Sequence, residues 1–413
     1  MHRSDCLLAL AVFQRATGEQ LWRMLRPHHR HDRITRDTLG ELRRRGMVRV
    51  ESRLASGHQL WVLTARGHAE AKTMLPPHVR MSALRPAPPA GAVRARGAGG
   101  FDAHAAAVTS TAAHLIGSGF GTVLSCQTEV AHKLPYGYTQ YADLVVRAPD
   151  AGVPVLLVEV DRGTEPVDEL VAKLRRYREW FELLAPKADA QKAEYAQHGD
   201  VHPFRLWSRV YPGTGREGYP PLAFVFAGTT PAQRTSRIQR LKEGAWPYCA
   251  GRYYTRAGDD EITAVNYHQA VPVVVTELEQ LDAHGAGAAV WKRLGRSGWQ
   301  TLTDALDNPN GDRLYEAERA EVHRRAQEHA AAAREARRPV CTRCGARFTD
   351  ARWEQVEAAP RGSRKNELCG PCLEAKRIRD DGKDRMREHD AELATAVQAR
   401  LAALPDPARR WLR

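Results

Sequence analysis

Three carboxylates at expected strand ends and a lysine on the helix that follows fall in one stretch, ADLVVRAPDAGVPVLLVEVDRGTEPVDELVAKLRRY, which runs from Ala142 to Tyr177. Asp143 opens a short apolar run, Leu144-Val145-Val146, and Glu159-Val160-Asp161 closes a second, Val155 to Val158. Pro149-Asp150-Ala151-Gly152 lies between them, and two β-rich runs joined by such a turn predict a hairpin. Glu159 and Asp161 are two apart, so on a strand they share one face, with Val160 on the other. After Gly163, Thr164 and Pro166 mark a helix start, and Leu170, Leu174, Tyr177 and Phe181 form one apolar stripe with Lys173 beside it. Hard oxygen ligands at this density suit Mg²⁺ or Mn²⁺, which can polarise a phosphodiester and activate a water. Lys173 is suited to orient that water or to stabilise charge developing on the phosphate. Tyr177 is a hydrogen-bonding candidate near the phosphate, and its place on the apolar stripe argues against a covalent nucleophile. Glu129, near the end of an expected strand from Val123, is a weaker fourth ligand. Taken singly, each of these residues reads more simply as a solvated strand end or a surface charge. An acid at the end of each of two apolar strands is what favours a metal site.

A second constellation has metal-ligand spacing. Cys341-Thr-Arg-Cys344 and Cys369-Gly-Pro-Cys372 are two C-x-x-C pairs about two dozen residues apart, the pattern of a tetrahedral Cys₄ zinc site. Four thiolates and no open position make it structural rather than catalytic, with metal binding supplying folding energy on the order of 10 kcal/mol. Arg343, Arg347, Arg361, Arg364 and Lys365 make the surroundings basic, so either DNA or a protein partner suits this zinc ribbon. Cys6, Cys126 and Cys249 are isolated, a usage that fits a reducing compartment, and the expected location is cytoplasmic.

The chain has 413 residues and a formal net charge of +13, with an isoelectric point near 9.6. That balance favours an acidic polymer, DNA or RNA, as partner. No run approaches the roughly 20 apolar residues of a membrane helix, so no membrane partner is expected. MHRSDCLLALAVF is basic then apolar, but the apolar run is short and Gln14-Arg15 follows, which predicts a first helix and not a signal peptide.

The elements that must position these residues divide the chain into six parts. Residues 1–75 predict a winged helix-turn-helix. A first helix carries Leu7, Leu8, Ala11 and Val12. A second opens at Thr17-Gly18-Glu19-Gln20 with capping-box spacing and turns Leu21, Trp22 and Leu25 inward. A third runs from Ile34 to Arg45, and strands at Val48–Val50 and Leu60–Leu63 form the wing. In that fold the third helix enters the major groove, which nominates Arg33, Thr35, Arg36, Arg43 and Arg44 for DNA contact. The histidines of His28-His29-Arg30-His31 fit a polar loop better than a metal cluster. Residues 76–100, rich in Pro, Ala, Gly and Arg, predict a mobile tether. Residues 101–295 interleave helices and strands, which predicts a mixed sheet flanked by helices. Its parts are a helix from Phe101 to Ile116, strands at Val123–Glu129, Leu222–Ala227, Ile262–Val265 and Val271–Val275, and a helix from Glu277 capped by Thr276. A helix from Pro231 presents Arg234, Arg237, Arg240 and Lys242 to phosphates. Residues 185–220 look like an insertion or lid, and His104 and His132 are expected to be structural or surface residues. Residues 296–338 predict a solvated helical arm, 339–376 the zinc ribbon and 377–413 a charged helical tail.

The hairpin acids followed by a helical lysine resemble the PD-(D/E)XK nuclease superfamily, which has an Asp on one strand and (D/E)-x-K on the next. More narrowly, Glu159-Val160-Asp161-Arg162-Gly163-Thr164 with Lys173 and Tyr177 is similar to the replication-relaxation family of actinobacterial plasmids and mobile elements. With the winged helix, that resemblance covers roughly residues 5 to 295. It implies a restriction-endonuclease-like sheet and a metal-dependent endonuclease or nickase acting on double-stranded plasmid or mobile-element DNA in replication, relaxation or transfer. Asp161 stands where the superfamily has lysine, so the lysine role passes to Lys173. Two other readings stay open: a non-catalytic replication initiator or adaptor on the same scaffold, and a winged-helix transcriptional regulator. A homodimer is also open.

Overall fold

The computed structural model describes residues 2–54, 56–77, 79–86, 103–187, 204–211, 219–256, 262–267, 270–359 and 364–403. The chain clusters into two compact units, residues 1–320 and 321–413.

The first unit begins with α1 (His2–Phe13), β1 (Arg15–Thr17), α2 (Gly18–Leu25) and α3 (Arg33–Arg44), then β2 (Val48–Arg53), β3 (Gln59–Leu63) and α4 (Ala65–Thr73). Thr17 and Gln20 close the capping box their spacing predicts, each side chain taking the other's backbone N–H. Gln20, Leu21 and Met24 form the buried face of α2, while Trp22 and Leu25 are only half-buried. Gly46, at φ 69°, turns the chain out of α3. The three strands pair antiparallel in the order β1-β3-β2.

A larger sheet follows α5 (Ala103–Gly117). It is built from β4 (Cys126–Lys133), β5 (Thr139–Ala148) and β6 (Val153–Asp161), then β7 (Leu222–Phe226), β10 (Val273–Glu277) and β11 (Lys292–Arg293). The order is β11-β10-β7-β6-β5-β4. β4, β5 and β6 form an antiparallel meander, while β6, β7 and β10 run parallel. The parallel strands are buried on both faces, and their continuous apolar runs (LAFVF, VVVT) reflect this. One face carries α6 (Val167–Glu182) and α8 (Pro231–Cys249), with a short α7 (Leu206–Val210) before β7. There Leu170, Leu174, Tyr177 and Phe181 of α6 pack on Leu157, Phe224 and Phe226, so the predicted stripe is the buried face. On the other face, Leu115 and Ile116 of α5 share a core with Leu144, Val158 and Trp291, and also with Leu7, Leu10, Leu21 and Leu39.

That shared core changes the expected architecture. The N-terminal helices and the α/β sheet are one compact unit, joined further where Gln20 Nε2 donates to Ala106 O and Ser110 Oγ. The start of the expected tether is docked. Ala83 and Leu84 are buried, Arg85 N donates to Ala11 O, and Gln14 Nε2 donates to Pro86 O. The rest of the tether lies outside the described residues, as does most of the expected lid. Residues 262–266 do not finish the main sheet; among the described residues β9 (Ile262–Asn266) pairs with β8 (Arg252–Arg256) alone. Thr276 lies in β10, its hydroxyl donating to Val290 O, and Glu277 stands at the start of α9 (Leu278–His284). The unit also extends past residue 295: Leu302, Ala305 and Leu306 of α10 (Leu302–Leu306) join the core beside Trp291.

In the second unit the end of α11 (Pro309–Ala336) is followed by α12 (Asp350–Glu357) and α13 (Gly370–Ala402). Arg338 ties the segment together through Glu335, Asp350 and Phe348 O. Phe348 and Trp353 form a small core with Cys341 and Cys369. α13 is continuous through residue 377, so the metal-binding segment and the described part of the tail share one helix.

Candidate functional site

The site forms where β5 leaves β6. Backbone pairing between them holds from Ala148 opposite Val153 to Leu144 opposite Val158 and then ends, while β6 continues beside β7 as far as Asp161 opposite Phe226. Val160 N–H, no longer matched to a β5 carbonyl, donates instead to Asp143 Oδ2 at 2.7 Å. Asp143 Oδ1 lies 3.1 Å from His104 Nε2 of α5. The carboxylate is therefore held at the opening between two strands by groups from both neighbours.

Glu159 is almost wholly buried, 1% exposed. Its Oε1 accepts from Tyr177 OH at 2.5 Å and from Gln140 Nε2 at 3.4 Å. Its Oε2 has no hydrogen bond, although Lys173 Nζ stands 3.2 Å away as an ion partner. The contact is a charge pair rather than a hydrogen bond. Lys173 Nζ also meets Glu165 Oε2 at 2.9 Å. Burial pushes the Glu159 carboxyl up to about 7, the Asp143 charge adds to this, and Lys173 and Tyr177 oppose it. Burial works against the Lys173 ammonium, but the facing carboxylates, Glu159 first, outweigh it and hold the lysine charged. Burial and the Glu159 charge keep the Tyr177 hydroxyl protonated, as a donor.

Asp161 does not join this group. Its Oδ2 accepts from Arg237 Nε at 2.7 Å and its Oδ1 from Gly163 N at 2.9 Å. Gly163 sits at φ 74°, and a Cβ there would meet Thr229 Cγ2 at 2.3 Å, so glycine is required for this turn. Glu129 is also elsewhere. It lies inside β4 rather than near a strand end, at φ 52°, exposed and paired with Arg85 Nη2 at 2.5 Å. Among the described residues, no group of three or more His, Cys, Asp and Glu ligand atoms gathers at the hairpin. The expected triad reduces to Asp143 and Glu159, with Lys173 and Tyr177 beside them.

Several participants carry no signal in the sequence. Gln140 bridges Glu159 and Arg176, its Oε1 accepting from Arg176 Nε at 2.8 Å. Glu165 shares Lys173, and His104, expected only as a structural or surface histidine, reaches Asp143. The hairpin register ends at Leu144 opposite Val158 and, extended by one step, sets Glu159 opposite Asp143, so strand alternation does not nominate Gln140. Nothing local points to His104. His132 is structural, buried and facing Tyr211 OH at 2.8 Å.

The residues nominated for DNA contact divide by exposure. Arg33, Arg36, Arg43 and Arg44 are exposed on α3, with Arg36 near Asp32 and Arg33 near Asp37. Thr35 is fully buried against His2, so it is not on that outer surface. Arg234 is buried between Glu277 and Glu279, and Arg237 holds Asp161 and Glu165 O; both are internal cross-links rather than free phosphate contacts.

In the second unit the ligand atoms of Cys341, Cys344, Cys369 and Cys372 all lie within 4.8 Å of one another. Tetrahedral zinc with Zn–S bonds of about 2.3 Å demands such spacing, so the four cysteines fit a metal such as Zn²⁺. They sit on a turn after α11 and at the start of α13. The only β pairing described there is a single bridge, Val340 to Arg347.

Among the described residues no helix is long and apolar enough to cross a membrane. No curated protein and no solved structure matches the chain. Residues 7–192, which hold Asp143, Glu159, Asp161, Lys173 and Tyr177, match the replication-relaxation family, and this part of the chain is similar to that family.

Proposed function

We propose that this protein serves plasmid or mobile-element replication by binding double-stranded DNA and cutting it, on one strand or both, at a metal-dependent centre formed by Asp143, Glu159 and Lys173. The observation that carries this reading is the ion pair of Lys173 with Glu159 beside Asp143, at the point where β5 and β6 separate. The donor set suits Mg²⁺ or Mn²⁺: Asp143 and Glu159 are hard oxygen ligands, and Glu159 Oε2 makes no hydrogen bond. Magnesium binds through one or two carboxylates and keeps several waters and phosphate oxygens. When bound, such an ion polarises a phosphodiester and lowers the pKa of a water. The chain's own residues fix Asp143 through Val160 N and His104, orient Glu159 through Tyr177 OH and Gln140, and bring the Lys173 ammonium to the phosphate. The exposed arginines of α3, in a three-helix and wing arrangement, supply duplex binding.

The experiment is incubation of supercoiled plasmid carrying its own replicon with the purified chain, with and without Mg²⁺ or Mn²⁺, beside Asp143→Ala. Metal-dependent nicking or linearisation that the variant lacks supports the reading. Binding without cleavage under every metal removes the catalytic part. A second reading, an initiator that keeps this scaffold without cleavage, draws on the internal partners of each carboxylate, above all Arg237 on Asp161. That reading predicts the same outcome with and without metal.

A further inference from the structure

A groove of about 640 Å³ opens beside the meander, lined by Arg80, Ala83, Gln127, Val145, Arg147 and Arg209 among others. Val145 belongs to the same core layer as Leu157 and Tyr177, so the groove lies on the sheet face that bears Glu159. Three separate chain segments bring an arginine to it. Arg147, at the end of β5, donates through Nη2 to Val210 O at 3.2 Å, and its guanidinium lies 5.2 Å from the centre of the Tyr211 ring. Arg209 of α7 donates through Nη1 to Pro186 O at 3.3 Å. Arg80, also in the lining, is exposed.

These partners hold the Arg147 and Arg209 guanidinium groups in place without neutralising them. Among the described residues no carboxylate pairs with any of the three, whereas Arg176, Arg234 and Arg237 in the same unit each meet one. Cations without a counter-charge among the described residues, on a chain of net charge +13, form an attractive field for a polyanion. Arginine's planar fork suits phosphate oxygens. We infer that this groove holds backbone phosphates of DNA, as a second contact surface besides α3. The inference rests on the DNA-binding reading above and adds the path of the strand: along β5 toward the opening that Asp143 occupies.

The test is the salt dependence of binding to a short fluorescein-labelled DNA duplex, followed by anisotropy, for the full chain and for Arg80→Ala, Arg147→Gln and Arg209→Gln, singly and together. Each lost phosphate contact lowers the slope of log K against log salt by about 1. The expected result is a reduction of roughly 2 to 3 in the combined variant, with binding at moderate salt weakened on the order of tenfold or more. Arg147 touches Tyr211, so circular dichroism checks the fold, and Arg80→Ala, whose side chain is exposed, carries the test by itself if the others unfold. Unchanged slopes in folded variants, while Arg36→Ala lowers the slope, overturn the groove and leave the α3 reading standing. Absence of DNA binding by the unaltered chain at any salt overturns both. Labelled ATP that binds with dependence on these arginines, while the DNA slope stays fixed, assigns the groove to a free nucleotide and overturns the inference.

Discussion

Lys173 Nζ lies 3.2 Å from Glu159 Oε2 and 2.9 Å from Glu165 Oε2, so one ammonium from α6 answers a buried strand carboxylate and a loop carboxylate together. The proposed chemistry depends on this relationship. Lys173→Met is expected to reduce plasmid cleavage about a hundredfold or more, the scale of losing one charge-stabilising donor. Duplex affinity should stay within a few-fold, because the α3 arginines are untouched. Gel-resolved cleavage beside anisotropy separates the two effects, and parallel losses would argue against a catalytic lysine.

Glu159 gives the metal-free protein a pH signature. Its folded-state pKa is raised to about 7 from an ordinary value of 4.5. Between those values the folded state binds more protons than the unfolded state, so stability falls as pH rises from about 4.5 to 7 and this contribution then levels off. The shift corresponds to about 3 kcal/mol. The Lys173 pKa is also raised, so its effect runs in the same direction in a higher window: its stabilisation is fully present below the ordinary lysine pKa and is lost only at strongly alkaline pH. Thermal melts in chelator across this range should show the decline in the unaltered chain and lack it in Glu159→Gln.

Arg237 and Asp161 form a nearly buried pair, with side chains 15% and 2% exposed. Arg237→Ala leaves a carboxylate without its cation and should cost about 3 kcal/mol, much of it recovered when Asp161→Asn is added. Urea midpoints of the two single variants and the double variant measure this coupling. Asp161→Asn alone should retain cleavage within a few-fold, unlike Asp143→Ala. Equal loss from both would restore Asp161 as a ligand.

The α3 arginines and Arg234 should behave differently. Arg36→Ala and Arg43→Ala are expected to weaken duplex binding with little change in melting temperature. Arg234→Ala strands Glu277 and Glu279, so its main effect should be on stability.

The four cysteines should take up one Zn²⁺ per chain. Cys344→Ser, or a strong chelator, should release it and unfold the segment around Phe348 and Trp353, whose small core includes two of the ligands. A chromogenic zinc assay with circular dichroism reads both. Full helicity and no bound metal in the unaltered chain would remove the zinc assignment.

Much of the site is legible in the amino-acid sequence because it is built from short-range periodicities. The hairpin turn, the two-residue alternation that pairs Glu159 with Asp161, and the apolar stripe that sets Lys173 beside Tyr177 all operate within one or two elements. The Thr17–Gln20 capping box and the two C-x-x-C pairs are local in the same sense. Which acids work together was decided only by tertiary packing. Asp161 is claimed by an arginine on a helix 76 residues away, Asp143 by His104 39 residues before it, and Glu129 by Arg85. The same packing buried Arg234, kept residues 262–266 out of the main sheet and merged the N-terminal helices with the α/β core. Strand alternation states which face a side chain takes. The partner waiting on that face is set by chain segments distant in sequence, and their approach is driven by burial of apolar surface that no single stretch reveals.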